Sequence, residues 1–208
     1  MEHITICIGR QYGSGGREVG ERLAQRLKIP CYDKTLVKAA AEESGLSFER
    51  IQHAEEKLAN NCWVLSGNPF ADSAAIAHAF YSESQLAFDA EKDVIEHLAQ
   101  QGPCVMIGRC SSAILPRQRC LSVFIYADEP SRVKRVMDRN RLDEKTAAQR
   151  LRHVDRLRRQ YFDFYANTQW GKPESYDLMI SSDRFGIEGC VEQILVGLKS
   201  SKGGESHE

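Results

Sequence analysis

The chain has 208 residues, enough for one well-packed α/β domain and short for two. Its 28 Lys and Arg against 29 Asp and Glu leave a formal net charge of -1, which excludes the global basic field that would hold a protein on nucleic acid or an anionic membrane. Any anion site must be local.

Seven cysteines, an odd set with no C-x-x-C pair, fall largely in apolar runs and read as reduced core thiols. The six histidines lack the i, i+4 spacing that aims two imidazoles at one ion, so no metal site built from side chains is expected. Residues 1–10 alternate apolar and polar positions, and no run reaches the length of a membrane span. The expectation is a cytoplasmic protein.

Residues 4–8 form a β-branched run that ends at Gly9 and predicts a buried first strand. Val19, Leu23, Ala24 and Leu27 then recur at helical spacing, which predicts a helix starting near Gly16 or Arg17 and ending before Ile29-Pro30. Residues 30–32 read as a minimal strand. Helical patterns follow over 36–43 and 48–58, then an aperiodic loop over 60–72 and a long helix over about 73–101.

Residues 105–107, 121–126 and 178–180 read as further apolar strands, and 203–208 as a polar, disordered tail. Strands that alternate with helices along the chain predict an α/β fold: a parallel sheet with helices on both faces. Trp63 and Trp170 sit in irregular segments and read as packing residues.

The segment Gly9-Arg10-Gln11-Tyr12-Gly13-Ser14-Gly15-Gly16-Arg17-Glu18 joins the first strand to the first helix, where a parallel sheet presents its carboxyl edge. Glycines free backbone N–H groups to point inward and cradle phosphate oxygens, and the helix adds the positive end of its dipole. The match to G-x-x-x-x-G-K-S/T is imperfect: no Lys follows the last glycine, and Glu18 stands where a magnesium-binding hydroxyl is expected.

Two alignments are open. In the favoured one Arg17 replaces the Lys and Ser14 is the nearest hydroxyl; in the other Gly16 takes the Lys position and another base serves. A glycine cluster can also do no more than make a tight turn. A dinucleotide fold, with Asp33 on a ribose hydroxyl, is a sharper rival, but G-x-G-x-x-G fails because the third position after Gly13 and Gly15 is Glu18.

Residues 142–165 carry five arginines on a helical pattern whose apolar stripe is Leu151, Val154, Tyr161 and Tyr165. Arg152, Arg156 and Arg159 share one face by spacing, with Asp155 beside them. A solvated surface helix would read the same way. The alternative is a basic lid that clamps a transferring phosphoryl group with guanidinium forks, and Arg132, Arg135 and Arg139 extend the basic run toward it.

Four segments, the glycine loop, Cys31-Tyr32-Asp33-Lys34, Ile107-Gly108-Arg109-Cys110 and the run from His153 to Tyr161, resemble the cytidylate kinase-like family of P-loop nucleoside monophosphate kinases. The resemblance implies a three-layer P-loop kinase fold of about five parallel strands, spanning 1–202. It also implies an inserted acceptor-binding helical region over about 33–101 and a lid over 139–166.

On this reading Gly13, Ser14, Gly15, Gly16, Arg17 and Glu18 bind ATP with Mg2+, and Asp33, Arg109 and Arg152 hold a nucleotide acceptor such as CMP. Arg17, Arg156 and Arg159 serve the transfer. The partners expected are small molecules, with neither nucleic acid nor membrane, and a homodimer is left open. The rival functions are a nucleotide-binding regulator that has lost catalysis with its Lys and, more remotely, an NAD(P)-binding oxidoreductase.

Overall fold

β-branched and aliphatic residues dominate the segments that become strands, and in the computed structural model, which describes residues 4–33 and 74–201, they form one sheet. Strand β1 (Thr5–Arg10) leads through the glycine loop into helix α1 (Gly16–Leu27) and the short β2 (Cys31–Tyr32). Helix α2 (Ala74–Gln101), β3 (Val105–Ile107), the single-turn α3 (Ser111–Ile114) and β4 (Cys120–Tyr126) follow. Helices α4 (Glu129–Asn140) and α5 (Glu144–Tyr165), β5 (Leu178–Ser181) and α6 (Ser182–Ser201) complete the order. The helical segments expected over 36–43 and 48–58, the loop over 60–72, Trp63 and the tail over 203–208 lie outside the described residues.

The five strands are all parallel, in the order β2-β3-β1-β4-β5. Alternation sends Ile6 and Ile8 of β1, Val105 and Ile107 of β3, and Val123 and Ile125 of β4 to one face, against Val19 and Leu23 of α1 and Val191 and Ile194 of α6. Each fully buried aliphatic side chain there contributes about 1.5–3 kcal/mol of transfer free energy. Cys7, Met106 and Cys120 point to the other face, where Ile95 and Ala99 of α2 cover them. Two layers of helix thus enclose the sheet and leave its carboxyl edge for the loops.

The first strand is longer than its sequence suggests. Gly9 and Arg10 continue the ladder, opposite Phe124 and Ile125 of β4. Gly9 does not end the strand; it lets the strand pass beneath aromatic rings, since a Cβ there would lie 2.9 Å from both Phe124 and Tyr176. The glycine loop therefore begins at Gln11, and Arg10 takes its direction from the strand. Six of the seven cysteines lie among the described residues, and all six are free thiols. Burial raises most of them, Cys31 and Cys190 to about 11.

Candidate active site

The loop from Gln11 to Gly15 turns sharply because Gly13 and Gly15 both take left-handed conformations, each at φ 79°. The Gly16, Arg17 and Glu18 amides open α1, where no preceding helical carbonyl can accept them. Gly16 N–H donates to Ser14 Oγ at 3.4 Å. Among the described residues, the amides of Gly13, Gly15, Arg17 and Glu18 have no acceptor. Four unsatisfied donors at the positive end of a helix make an anion cradle.

Ser14 holds the loop's shape. Its buried hydroxyl donates to the Gln11 carbonyl at 2.9 Å, and its own carbonyl accepts from Ser182 Oγ at 2.6 Å, which ties the loop to the start of α6. Glu18 faces outward, with Arg22 at 2.7 Å and Arg135 at 3.5 Å.

Beside the loop, at the carboxyl ends of β1 and β3, three guanidinium groups gather. Burial lowers the pKa of Arg10 well below its ordinary value, and the neighbouring positive charges of Arg158 and Arg109 lower it further. Burial likewise depresses Arg158 and Arg109. Arg109 is presented by a strained turn, since Gly108, Arg109 and Cys110 have φ of 81°, 59° and 53°. Its guanidinium pairs with the buried carboxylate of Glu91 on α2, which also accepts from Tyr161 on α5. Cys110, next in the turn, is buried among Phe124, Phe162, Trp170 and Tyr176.

Helix α5 is fixed to the loop by a second buried ion pair. Asp155 accepts from the Tyr12 amide at 2.7 Å and from the Arg132 guanidinium at 2.6 Å. Arg158, one turn on, donates to the Arg10 carbonyl at 3.0 Å and lies over the Tyr12 ring. Leu151, Asp155, Arg158 and Phe162, spaced four, three and four apart, form the inward face.

The face grouped by sequence spacing meets a different environment. Arg152 is exposed and reaches Glu129 at 3.4 Å, and Arg156 is exposed beside His153. Arg159 lies 5.7 Å from the Trp170 ring, at the rim of an open cleft of about 990 Å³ that also includes Gln11, Phe124 and Tyr126.

Arg17 is exposed as well. Its guanidinium turns from the loop to Glu21 at 2.8 Å and to Asp33 at 3.0 Å, and these carboxylates raise its pKa. The structure thus brings Asp33, Arg17 and Arg109 to the same edge of the sheet as the loop, with Asp155, which the sequence placed beside the lid arginines, and it adds Arg10, Arg158 and Glu91, to which sequence reasoning gave no site role. The parity of β1 was the available signal for Arg10, because Ile6, Ile8 and Arg10 alternate on one side once the strand is allowed through Gly9.

The donor set suits a polyphosphate but offers a metal ion little. Ser14 Oγ is committed within the loop, Glu18 is held by two arginines, and no cluster of three His, Cys, Asp or Glu side chains occurs among the described residues.

The model of the cytidylate kinase-like family matches residues 5–184. An uncharacterized protein from Eubacterium ventriosum is similar in structure, with a TM-score of 0.72 and 26% identity over 95% of this chain and 99% of that one. A gluconokinase from Sinorhizobium meliloti has a TM-score of 0.54 and 16% identity, covering 99% of both chains. A uronate isomerase from Corynebacterium glutamicum is 31% identical over 142 residues. That match takes in 65% of this chain but 26% of the isomerase, so the chain spans about a quarter of that relative's length. The fold is that of the P-loop kinases. No helix among the described residues is long and apolar enough to cross a membrane.

Proposed function

The chain belongs to the cytidylate kinase-like family, and on that premise we propose that it transfers the γ-phosphoryl group of ATP to a small acceptor, a nucleoside monophosphate such as CMP. The observation that carries this reading is the meeting, at one sheet edge, of an amide cradle with no internal acceptors and a group of desolvated arginines. An arrangement that concentrates donors and positive charge suits phosphoryl transfer, which asks the protein mainly to position and to neutralise.

In this account the Gly13, Gly15, Arg17 and Glu18 amides hold the β- and γ-phosphates. Mg2+ bound with those phosphates would neutralise part of their charge, the described residues offering no cluster of three His, Cys, Asp or Glu side chains to hold it. Arg109, aimed by Glu91 and Tyr161, holds the acceptor phosphate, with Asp33 and Arg17 bounding that side. Arg159 contacts the transferring group from the cleft side, while Arg152 and Arg156 contribute long-range positive charge.

The regulator reading has one observation in its favour, the absence of a Lys or a hydroxyl at the positions where the standard loop carries them. A coupled assay of ATP turnover over a panel of nucleoside monophosphates separates the two. Acceptor-dependent turnover supports the kinase, whereas nucleotide binding without turnover on any acceptor supports the regulator.

Arg159 gives a graded test. Its contact with Trp170 contributes about 0.5–1 kcal/mol at an exposed site, so Arg159→Ala should leave the Tm nearly unchanged. It should lower kcat by roughly tenfold or more, and by more than it weakens ATP binding, as expected for a contact made chiefly in the transition state. A large fall in Tm with a normal kcat would make Arg159 structural.

A further inference from the structure

We propose that Arg10 carries the phosphate-binding charge that a lysine at position 16 carries in the standard loop. The inference rests on the kinase reading above and identifies the missing cation of that site.

A Cβ built on Gly16 would lie 2.6 Å from Arg10 Cβ and 3.2 Å from Arg10 Cγ. The Arg10 side chain therefore occupies the room through which a side chain at position 16 would leave the helix. It continues across the mouth of the loop to the β3 turn, where a Cβ on Gly108 would collide with its Nη1. Gly16 is thus fitted around Arg10 and the Ile125 Cβ at 3.1 Å, and Gly108, which its φ of 81° already favours as glycine, lies against the guanidinium. Position 16, at the first turn of α1, is also where the second alignment of the loop puts the lysine.

The charge state agrees with the geometry. Among the described residues Arg10 has no ion pair and no side-chain hydrogen bond, while Arg109 pairs with Glu91, Arg158 donates to the Arg10 carbonyl, and Arg17 is drawn to Glu21 and Asp33. A half-buried guanidinium with no ion pair among the described residues, beside Arg158 and Arg109 and offset only by the more distant charge of Asp33, gains when an anion arrives. The four open amides lie on the loop whose first turn it crosses. A planar fork so placed can engage phosphate oxygens through two parallel N–H donors, a fixed geometry that a point-charge ammonium does not offer.

The test is calorimetric titration of the full chain with inorganic tripolyphosphate and with a non-hydrolysable ATP analogue, alongside Tm without ligand. Arg10→Ala should weaken both ligands roughly 10–100-fold, the value of a charge-assisted hydrogen-bond pair. Its unliganded Tm should stay level or rise, because a half-buried cation with no ion pair among the described residues has been removed. Arg17→Ala should change either affinity by no more than about threefold, as for an exposed ion pair. The double variant Arg10→Gly with Gly16→Lys, which removes the Arg10 contacts, leaves the Ile125 Cβ at 3.1 Å and moves the charge to the helix, should recover at least about tenfold of the loss.

Wild-type affinity in Arg10→Ala, or a large fall in its unliganded Tm, overturns the assignment. So does failure of the double variant to rebind while Arg10→Lys binds no better than Arg10→Ala. Tripolyphosphate binding that depends on Arg10, without binding of the ATP analogue, would keep the assignment and overturn the nucleotide reading. Binding of neither ligand by the wild-type chain overturns both.

Discussion

Asp155→Ala should lower Tm by about 10 °C and remove most activity. Among the described residues Asp155 is the sole carboxylate on the buried Arg132 guanidinium, and it accepts from the Tyr12 amide inside the glycine loop. Truncating it strands a buried positive charge whose Nε already has no partner among the described residues, and it leaves a loop amide unsatisfied. Breaking a buried pair from one side costs about 3–5 kcal/mol, and at this chain length 1 kcal/mol moves Tm by roughly 2–4 °C.

Activity should fall with stability because the same carboxylate docks α5, and with it Arg158, against the loop. Replacing both partners, Asp155→Leu with Arg132→Met, should restore much of the stability, since an apolar pair of similar volume avoids the desolvated charge. It should not restore activity. Thermal unfolding and kcat measured on the same two variants check this, and equal recovery of both would mean that Asp155 only packs.

Arg109→Ala should reduce kcat/KM for the acceptor by about 10³-fold while leaving the affinity for an ATP analogue unchanged, in the lower part of the range for a guanidinium that meets a transferring phosphoryl system. The turn bearing Arg109 holds two non-glycine residues in left-handed backbone, a conformation that costs about 1–3 kcal/mol for each residue and clusters at functional sites. Some loss of Tm is expected as well, because Glu91 would lose its guanidinium.

Arg109→Lys controls for that loss. It keeps a cation for Glu91 but loses the planar fork, so Tm should recover further than acceptor kcat/KM does. Loss of ATP affinity with unchanged acceptor KM would place Arg109 on the donor side and contradict the assignment.

Much of the fold was legible in the sequence because its signals are local. The β-branched runs, the helical spacing of Val19, Leu23 and Leu27, and the glycines at 13 and 15 each act within a few residues. The site was legible only in outline. Adjacency to the last glycine pointed to Arg17, but side-chain direction there is decided by Glu21 one turn along and by Asp33, which arrives from β2. The place of Arg10 on the strand was hidden by reading Gly9 as a terminator when it is a close-packing residue within the strand.

On α5, spacing grouped Arg152 with Arg156 and Arg159 correctly as neighbours yet could not say which face the loop would meet. That is settled by the tertiary pair of Asp155 with Arg132, 23 residues away. The Glu91 network needed three elements to come together, and no window of sequence contains them.

The central claim, phosphoryl transfer from ATP to a small acceptor, is tested most directly by phosphorus NMR of the chain with ATP, Mg2+ and CMP, followed by other nucleoside monophosphates. The account predicts that the γ-phosphate signal of ATP declines as the signals of ADP and of a new nucleoside diphosphate rise together. ATP left intact with every acceptor, or converted only to ADP and inorganic phosphate, would contradict it.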